Sequence, residues 1–442
     1  MIVMKFGGSS LCSAERILHV RGIVRDALPR GPVVVLSAMG DTTDDLLAAA
    51  QKALETGVVD TARIEALHLE TAEALQLPGA VRESLAALLA GLKQLLTGIA
   101  LIRELSPRTR DLLVSFGERL SVRIAAGAFG GAGLDAIPLD AWDAGLLSDS
   151  KQGGADIAGE SWDAVPAALG ALVRAGRVPV VTGFIAKDKA GSVTTLGRGG
   201  SDLSATFIAA ACGAEEAQVW KDVDGILSAD PRIVKDARPV DAVTYEEAAE
   251  LAYFGAQVLH PRAMLPCMKT GVPVVVKNSY NPQARGTRIV SALANRASPI
   301  QTITSRRSIT LVDIVSTRMV GQPGFLEQVF SAFARAGLSV DMVATSEVSV
   351  SVTLDSVYDL SSLREDLARI ADITVHSGKA IVTIVGDVRR SSEILARAFR
   401  TCELLGVTVQ MVSQGASKVN ISFIIDDRET VEVIRALHGD FF

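Results

Sequence analysis

Up to about residue 295 the chain alternates two kinds of apolar pattern, and that alternation restricts its fold more than any other feature. Short apolar runs, at Ile2–Phe6, Val33–Ser37, Val178–Phe184, Gln218–Trp220 and Val274–Lys277, read as buried strands. Between them lie stripes of helical period, clearest in Leu85, Leu88, Leu89, Leu92, Leu95, Leu96 and Ile99. Strands that are apolar on both faces and alternate with amphipathic helices predict an α/β fold, with a mostly parallel central sheet covered by helices on both sides. In such sheets ligands bind beyond the carboxyl ends of the strands, so the segments leaving those ends matter most.

The remainder carries an internal repeat. Gly337-Leu-Ser-Val-Asp-Met-Val is matched by Gly406-Val-Thr-Val-Gln-Met-Val. Each copy starts with a strand (Ile309–Ser316; Ala380–Asp387) and continues with a helical segment (Gly324–Ala336; Ser392–Leu405), two strands and another helix. Two ferredoxin-like βαββαβ units are expected. The stretch from Ser291 to Pro299 lacks apolar periodicity and serves as the boundary. The expected division is 1–295, 300–378 and 379–442, with the last two units consecutive or interlocked.

Composition narrows the function classes. Of 442 residues, 48% are hydrophobic and 21% charged, which fits a packed globular protein rather than a disordered one. A net charge of -6 is poorly suited to non-specific nucleic-acid binding. The four cysteines, Cys12, Cys212, Cys267 and Cys402, lie far apart and fit no metal-ligand spacing, so reduced thiols are expected. The N-terminus lacks the apolar run of a signal peptide, and no apolar stretch is expected to reach the roughly 20 residues of a membrane span. A cytoplasmic protein with no nucleic-acid or membrane partner is the expectation.

Four segments carry chemistry. Lys5-Phe6-Gly7-Gly8-Ser9-Ser10 closes the first strand: its glycines let backbone N–H groups approach a phosphate, and Lys5 can face a transferring phosphoryl group. The P-loop spacing is absent. Thr194-Thr195-Leu196-Gly197-Arg198-Gly199-Gly200-Ser201-Asp202 runs into a helix. It joins an anion-binding turn to a guanidinium fork that can hold a carboxylate. Ser115-Phe116-Gly117-Glu118-Arg119-Leu120-Ser121 lies in a helical stretch, where Glu118 can meet an ammonium group. Trp220 to Arg232 leaves a strand and lacks calcium-loop spacing, so a nucleotide-binding turn is the better reading. His260, in Leu259-His-Pro-Arg, is read as a structural histidine near a turn, because phosphoryl transfer to a carboxylate needs no histidine base.

Taken in order, KFGGSS, SFGERLS, TLGRGGSD, KDVDGILSADPR and FGAQVLHPRAM (Phe254–Met264) resemble aspartate kinases of the amino-acid kinase family. The C-terminal repeat resembles the paired ACT domains of their monofunctional, lysine-sensitive type. The resemblance implies an amino-acid kinase fold followed by two ACT domains. It also implies phosphorylation of the L-aspartate side chain by ATP with Mg2+, giving 4-phospho-L-aspartate on the route to lysine, threonine and methionine. It gives Lys5 and Asp202 catalytic roles, and assigns aspartate to Thr43, Glu118, Arg198 and Ser201. It assigns ATP to Lys5, Gly7, Gly8, Ser37, Lys221, Asp222, Leu227, Arg232 and Gln257. Leu227 stands where some members have tyrosine, and Gln257 where many have lysine. No protein ligand of the magnesium is implied.

The resemblance further implies L-lysine as allosteric effector. Met319, Gly324, Phe325, Leu326, Val340, Asp341, Thr345, Ser346, Glu347 and Val348 would bind it, with acids for the ammonium groups and Met319 over the aliphatic stem. A homodimer or a dimer of dimers through the ACT domains is expected, without a fused homoserine dehydrogenase. Three other readings stay open: a kinase for glutamate or acetylglutamate, an aspartate kinase under threonine or ectoine-pathway control, and an ACT ligand sensor with a dead kinase half.

Overall fold

The computed structural model describes residues 1–253, 259–293, 299–316, 319, 323–355, 359–414 and 419–442. The chain divides into two units. The first comprises 1–226, 241–245 and 258–293, and the second comprises 227–240, 246–257 and 294–442. This differs from a single boundary near 295. Two segments from inside the expected kinase part belong with the C-terminal unit, and apolar burial explains the first of them. Ala229 and Val234 are buried in the same cluster as Ile303, Ile384, Phe423 and Val433, and apolar area removed from water is the dominant favourable term in packing.

The first unit is built on an eight-stranded sheet in the order Ala136–Leu139, Val178–Thr182, Pro32–Leu36, Ile2–Phe6, Ala217–Lys221, Val274–Asn278, Thr287–Val290, Ala242–Thr244. The pairings are parallel except that of Val274–Asn278 with Thr287–Val290. All five residues of Ile2–Phe6 are buried, as a strand covered on both faces requires. Its register sets Lys5 beside Val35 on one side and Val219 on the other. The loops that start at Gly7, Ser37 and Asp222 therefore leave the sheet at one edge, and the loop at Gly183 follows the next strand in the same direction. That edge holds the site.

Helix Gly79–Ile102 buries Leu85, Leu88, Leu89, Leu92, Leu96 and Ile99, the face predicted from sequence. It packs on helices Thr42–Thr56 and Pro107–Gly130. It also corrects the expectation about membrane length, since it has 24 residues and an 18-residue window of mean hydropathy 1.9. Its apolar face here covers protein. Helix Pro107–Gly130 starts at Ser106, whose side chain accepts the Thr109 N–H, with Pro107 in the first turn.

The second unit is an antiparallel six-stranded sheet, ordered Val343–Thr345, Ser349–Leu354, Ile300–Val315, Asp372–Gly386, Asn420–Asp426, Met411–Ser413. Its two central strands are 16 and 15 residues long and pass through both repeats. The first half of Ile300–Val315 puts Ile300 and Ile303 into the core of the second repeat. The second half puts Val312 and Ile314 with Phe325, Val329 and Phe333 of the first. The pairing register shifts between the halves, where Ser308 takes a left-handed φ of 59°. The repeats are thus interlocked: the strand from 300 to 306 pairs with 381–386 of the second repeat, while the Arg306 side chain reaches Asp341 and Asp355 of the first.

Candidate active site

Lys5 and Asp202 meet at the carboxyl edge of the first unit's sheet. Lys5 Nζ lies 2.6 Å from Asp202 Oδ1, and each side chain is only 10% exposed. Asp202 sits in the first turn of helix Gly200–Ala211, where a negative charge is favoured by the unpaired N–H groups. Lys221 joins this charge cluster. Burial holds its ammonium below the ordinary lysine value; Asp202 opposes that shift and Lys5 adds to it. Asp222 also acts on Lys221, from an exposed position, and the two ammonium groups are what the cluster offers an anionic ligand.

The glycine loop beside them has no room for a side chain at Gly8. A Cβ on Gly8 would lie 2.8 Å from the carbonyl oxygens of both Ala38 and Gly40, and the Gly40 N–H already donates to the Gly8 carbonyl. Only glycine allows this approach of two backbones.

Helix Pro107–Gly130 turns a polar stripe inward. Asp111 is buried and accepts from the N–H groups of Gly153 (2.9 Å) and Thr195 (3.0 Å) and from the Thr195 hydroxyl (2.9 Å). It thereby ties the start of the glycine–arginine loop to the helix. Two turns on, Glu118 accepts the Ala38 N–H through Oε1 at 3.3 Å, while its buried Oε2 has no partner. Burial pushes the Glu118 carboxyl up to about 8, with Ala38 and Lys5 opposing. A buried carboxylate oxygen without a donor is rare in native structures and marks a place for a ligand cation.

Gly197 and Gly199 take left-handed φ values of 75° and 71°, and a Cβ on Gly199 would lie 2.7 Å from Cβ of His260. Arg262 pins the loop by donating to the carbonyls of Leu196 (2.8 Å) and Ala155 (2.5 Å) and pairing with Asp156 at 2.6 Å. His260 caps the following helix, its Nδ1 accepting the Arg262 N–H at 3.3 Å. That is a structural role, as the sequence suggested. The loop carries Arg198 to the wall of a cavity of about 730 Å³ that Lys5, Glu118 and Asp202 also line.

The amino acid kinase family model matches residues 1–278, and that of the ACT domain matches 312–358 and 382–441. Chloroplastic aspartokinase 1 of Arabidopsis thaliana is 48% identical over all of this chain and 80% of its own length. Lysine-sensitive aspartokinase 3 of Escherichia coli is 34% identical over 100% of this chain and 99% of its own. Among solved structures, E. coli aspartokinase III with lysine and aspartate (T-state) superposes with a TM-score of 0.86 at 32% identity, covering 100% of this chain and 99% of that one. The same enzyme with aspartate and ADP (R-state) gives 0.81, with full coverage of both chains. The chain belongs to the aspartokinases, within the amino acid kinase family.

Of the positions expected at an aspartokinase site, Lys5, Gly8, Ser37, Thr43, Glu118, Arg198, Ser201 and Asp202 line the one cavity. Gly7 adjoins it, a Cβ there falling 3.7 Å from Lys5 Nζ. Asp222 is exposed just beyond Lys221. Leu227 and Arg232 are in the second unit. The Leu227 carbonyl accepts the Thr302 hydroxyl at 2.8 Å, and the largely exposed Arg232 guanidinium is forked on Asp230. Gln257 lies outside the described residues. Asp111, Arg110 and Asp44 also line the cavity and were missed from sequence. The available signal was an Asp and a Glu seven residues apart within a helix whose other inward positions are apolar or small.

In the second unit, Met319, Phe325 and Val340 share one apolar cluster. Gly324, with φ 87°, precedes helix Phe325–Arg335, while Leu326, Glu347 and Val348 are exposed. Thr345 ends a strand, and the Ser346 hydroxyl accepts the N–H groups of Val348 and Ser349 to close the turn. Asp341 is occupied from within the chain. The Tyr253 hydroxyl donates to it at 2.5 Å and Arg306 lies 3.5 Å away. Burial raises its carboxyl above the ordinary value, with Asp355 adding and Arg306 opposing.

Proposed function

We propose that this chain transfers the terminal phosphoryl group of ATP to the side-chain carboxylate of L-aspartate, giving 4-phospho-L-aspartate and ADP. The observation that carries the reading is a cavity in which the Lys5–Asp202 pair faces both Arg198 and a buried carboxylate oxygen of Glu118 without a partner. Glu118 receives the substrate ammonium, Arg198 forks onto its α-carboxylate, and Thr43 and Ser201 complete the polar wall. Lys5 neutralises charge on the transferring group while Asp202 fixes the lysine. Gly7, Gly8 and Ser37 offer backbone and hydroxyl donors to phosphate, and Lys221 adds a second cation.

The aspartate side chain is already ionised, so its oxygen attacks phosphorus as the bond to the ADP oxygen breaks, and no base is needed. Catalysis is then positioning and charge stabilisation. Among the described residues no three His, Cys, Asp or Glu side chains are grouped to hold an ion. Magnesium in this reading is carried on the ATP phosphates and supplies charge neutralisation there.

The E. coli relatives, one named lysine-sensitive and one solved with lysine, support L-lysine as the effector at Met319, Gly324, Phe325, Val340, Asp341 and the turn Thr345–Val348. The product then feeds lysine, threonine and methionine synthesis. Two ACT units supply the surface for a homodimer, and light scattering with effector present tests the assembly. The intact Lys5, Arg198 and Asp202 favour this over a sensor with a dead kinase half.

The reaction is tested by incubating purified protein with MgATP, L-aspartate and hydroxylamine. An aspartyl hydroxamate is expected, with L-glutamate much poorer because one methylene displaces its carboxylate from attack geometry. No hydroxamate under these conditions would sink the proposal.

A further inference from the structure

One turn of the first unit, Asn278–Asn281, takes no part in the site described above, yet it touches both loops that the nucleotide reading assigns to phosphate. Toward Lys221–Asp224 it makes three bonds. The Ser279 N–H donates to the Lys221 carbonyl at 2.8 Å, and the Asn278 and Asn281 amides both donate to Asp224 Oδ1, at 2.8 and 3.2 Å. Toward the N-terminal glycine loop it makes two more. The Ser279 hydroxyl lies 2.8 Å from that of Ser10, and the Tyr280 hydroxyl donates to the Ser9 carbonyl at 3.3 Å. Arg16 locks the arrangement: its guanidinium donates to the Ser279 hydroxyl at 3.1 Å and lies 3.5 Å from the centre of the Tyr280 ring.

Ser279 and Ser10 are fully buried. The turn itself is held locally, the Asn278 side-chain carbonyl accepting the Tyr280 N–H. The centre of this network, Ser10, Asn278 and Ser279, is out of water while its ends at Asp224, Tyr280 and Asn281 are exposed, and breaking the centre leaves a buried hydroxyl unpaired. It links the loop after strand Ile2–Phe6 to the loop after strand Ala217–Lys221, two neighbours in the sheet.

We propose that Ser279 is a positioning residue for ATP: through Ser10 and Lys221 it sets the spacing of the two phosphate-facing loops, and Asn278 and Asn281 hold Asp224 in the same frame. This rests on the nucleotide reading given above. The aspartate-facing groups Glu118, Arg198 and Thr43 lie outside the network, so the effect falls on one substrate.

The test is steady-state kinetics and MgADP calorimetry on the full chain. Ser279→Ala is expected to raise the ATP KM and the MgADP Kd roughly 3- to 10-fold, the loss of one or two buried hydrogen bonds, with the aspartate KM unchanged within twofold. Ser10→Ala should shift the same constants in the same direction, and the double variant should cost no more than Ser279→Ala alone, because the Ser10–Ser279 bond that Ser10→Ala removes is already lost in it. A lowered Tm with both KM values unchanged, a rise in the aspartate KM alone or in both KM values together, or additive single effects would each overturn the proposal. Should Ser279→Ala fail to fold, the exposed Asn281→Ala decides in its place: a selective rise in ATP KM of about 2- to 5-fold supports the proposal, and none removes it. Absence of MgADP binding to the unaltered protein would remove the nucleotide reading itself. Equal binding to both proteins removes only the role of Ser279.

Discussion

Lys5 Nζ and Asp202 Oδ1, 197 positions apart in the chain, approach to 2.6 Å at the carboxyl edge of the parallel sheet. Strand Ile2–Phe6 delivers the lysine and the first turn of helix Gly200–Ala211 delivers the aspartate. The pair is held at low exposure, where a charge aimed at a reacting group is screened little by solvent. Lys5→Ala should therefore lower kcat by roughly 10²-fold or more while shifting the aspartate KM little. Single-turnover phosphoryl transfer measures this, and an unchanged rate would take Lys5 out of the mechanism.

Arg198 separates the two substrates. Arg198→Ala should raise the aspartate KM by about 10-fold or more, the loss of a charge-assisted fork, and the ATP KM much less. Equal effects on both substrates would show that the wrong anion site had been assigned.

Glu118 makes aspartate binding depend on pH. Its carboxyl stands at about 8 because burial disfavours the charge, so below that pH binding of an ammonium must also expel a proton. The aspartate KM should fall by about tenfold per pH unit as pH rises toward 8 and then level off. The stability effect has the opposite sense. The folded state holds the proton more tightly than the unfolded chain, so Glu118 destabilises the free protein increasingly between the ordinary carboxylate value and about 8. Glu118→Gln should flatten the aspartate profile and raise the urea midpoint more at pH 8 than at pH 6. A variant whose profile still slopes would point to another titrating group.

Asp341 is expected to exchange partners when lysine binds: Tyr253 already donates to its Oδ1, and Arg306 stands 3.5 Å from Oδ2, a buried oxygen with no hydrogen-bond partner. Asp341→Ala should weaken inhibition by lysine about 10-fold or more, the loss of one charge-assisted contact, while leaving kcat without lysine nearly intact. Inhibition curves at fixed aspartate measure it, and an unaltered lysine midpoint would move the effector site elsewhere.

Legibility in the sequence followed the range of the interaction. Strands Ile2–Phe6 and Val274–Lys277 were readable as short continuous apolar runs, and the buried face of Gly79–Ile102 as a stripe of period 3.6, because both patterns are written into neighbouring residues. The glycine loops were readable because a tight backbone approach admits only glycine, as Gly8 shows. Asp111 was not readable. Its partners, Gly153 and Thr195, are 42 and 84 positions away, and an aspartate in a helix looks like any solvated charge until the fold buries it.

The sequence by itself determined the alternation of elements, the repeat, and the identity of the groups that can handle phosphate and carboxylate, because these depend on local pattern and residue chemistry. Tertiary structure alone decided which of those groups share a cavity, and it raised Glu118 by burying it. It also threaded 300–306 into the second repeat and drew 227–240 out of the first unit. Those outcomes depend on which apolar surfaces cover one another, and no local stretch of sequence encodes that choice.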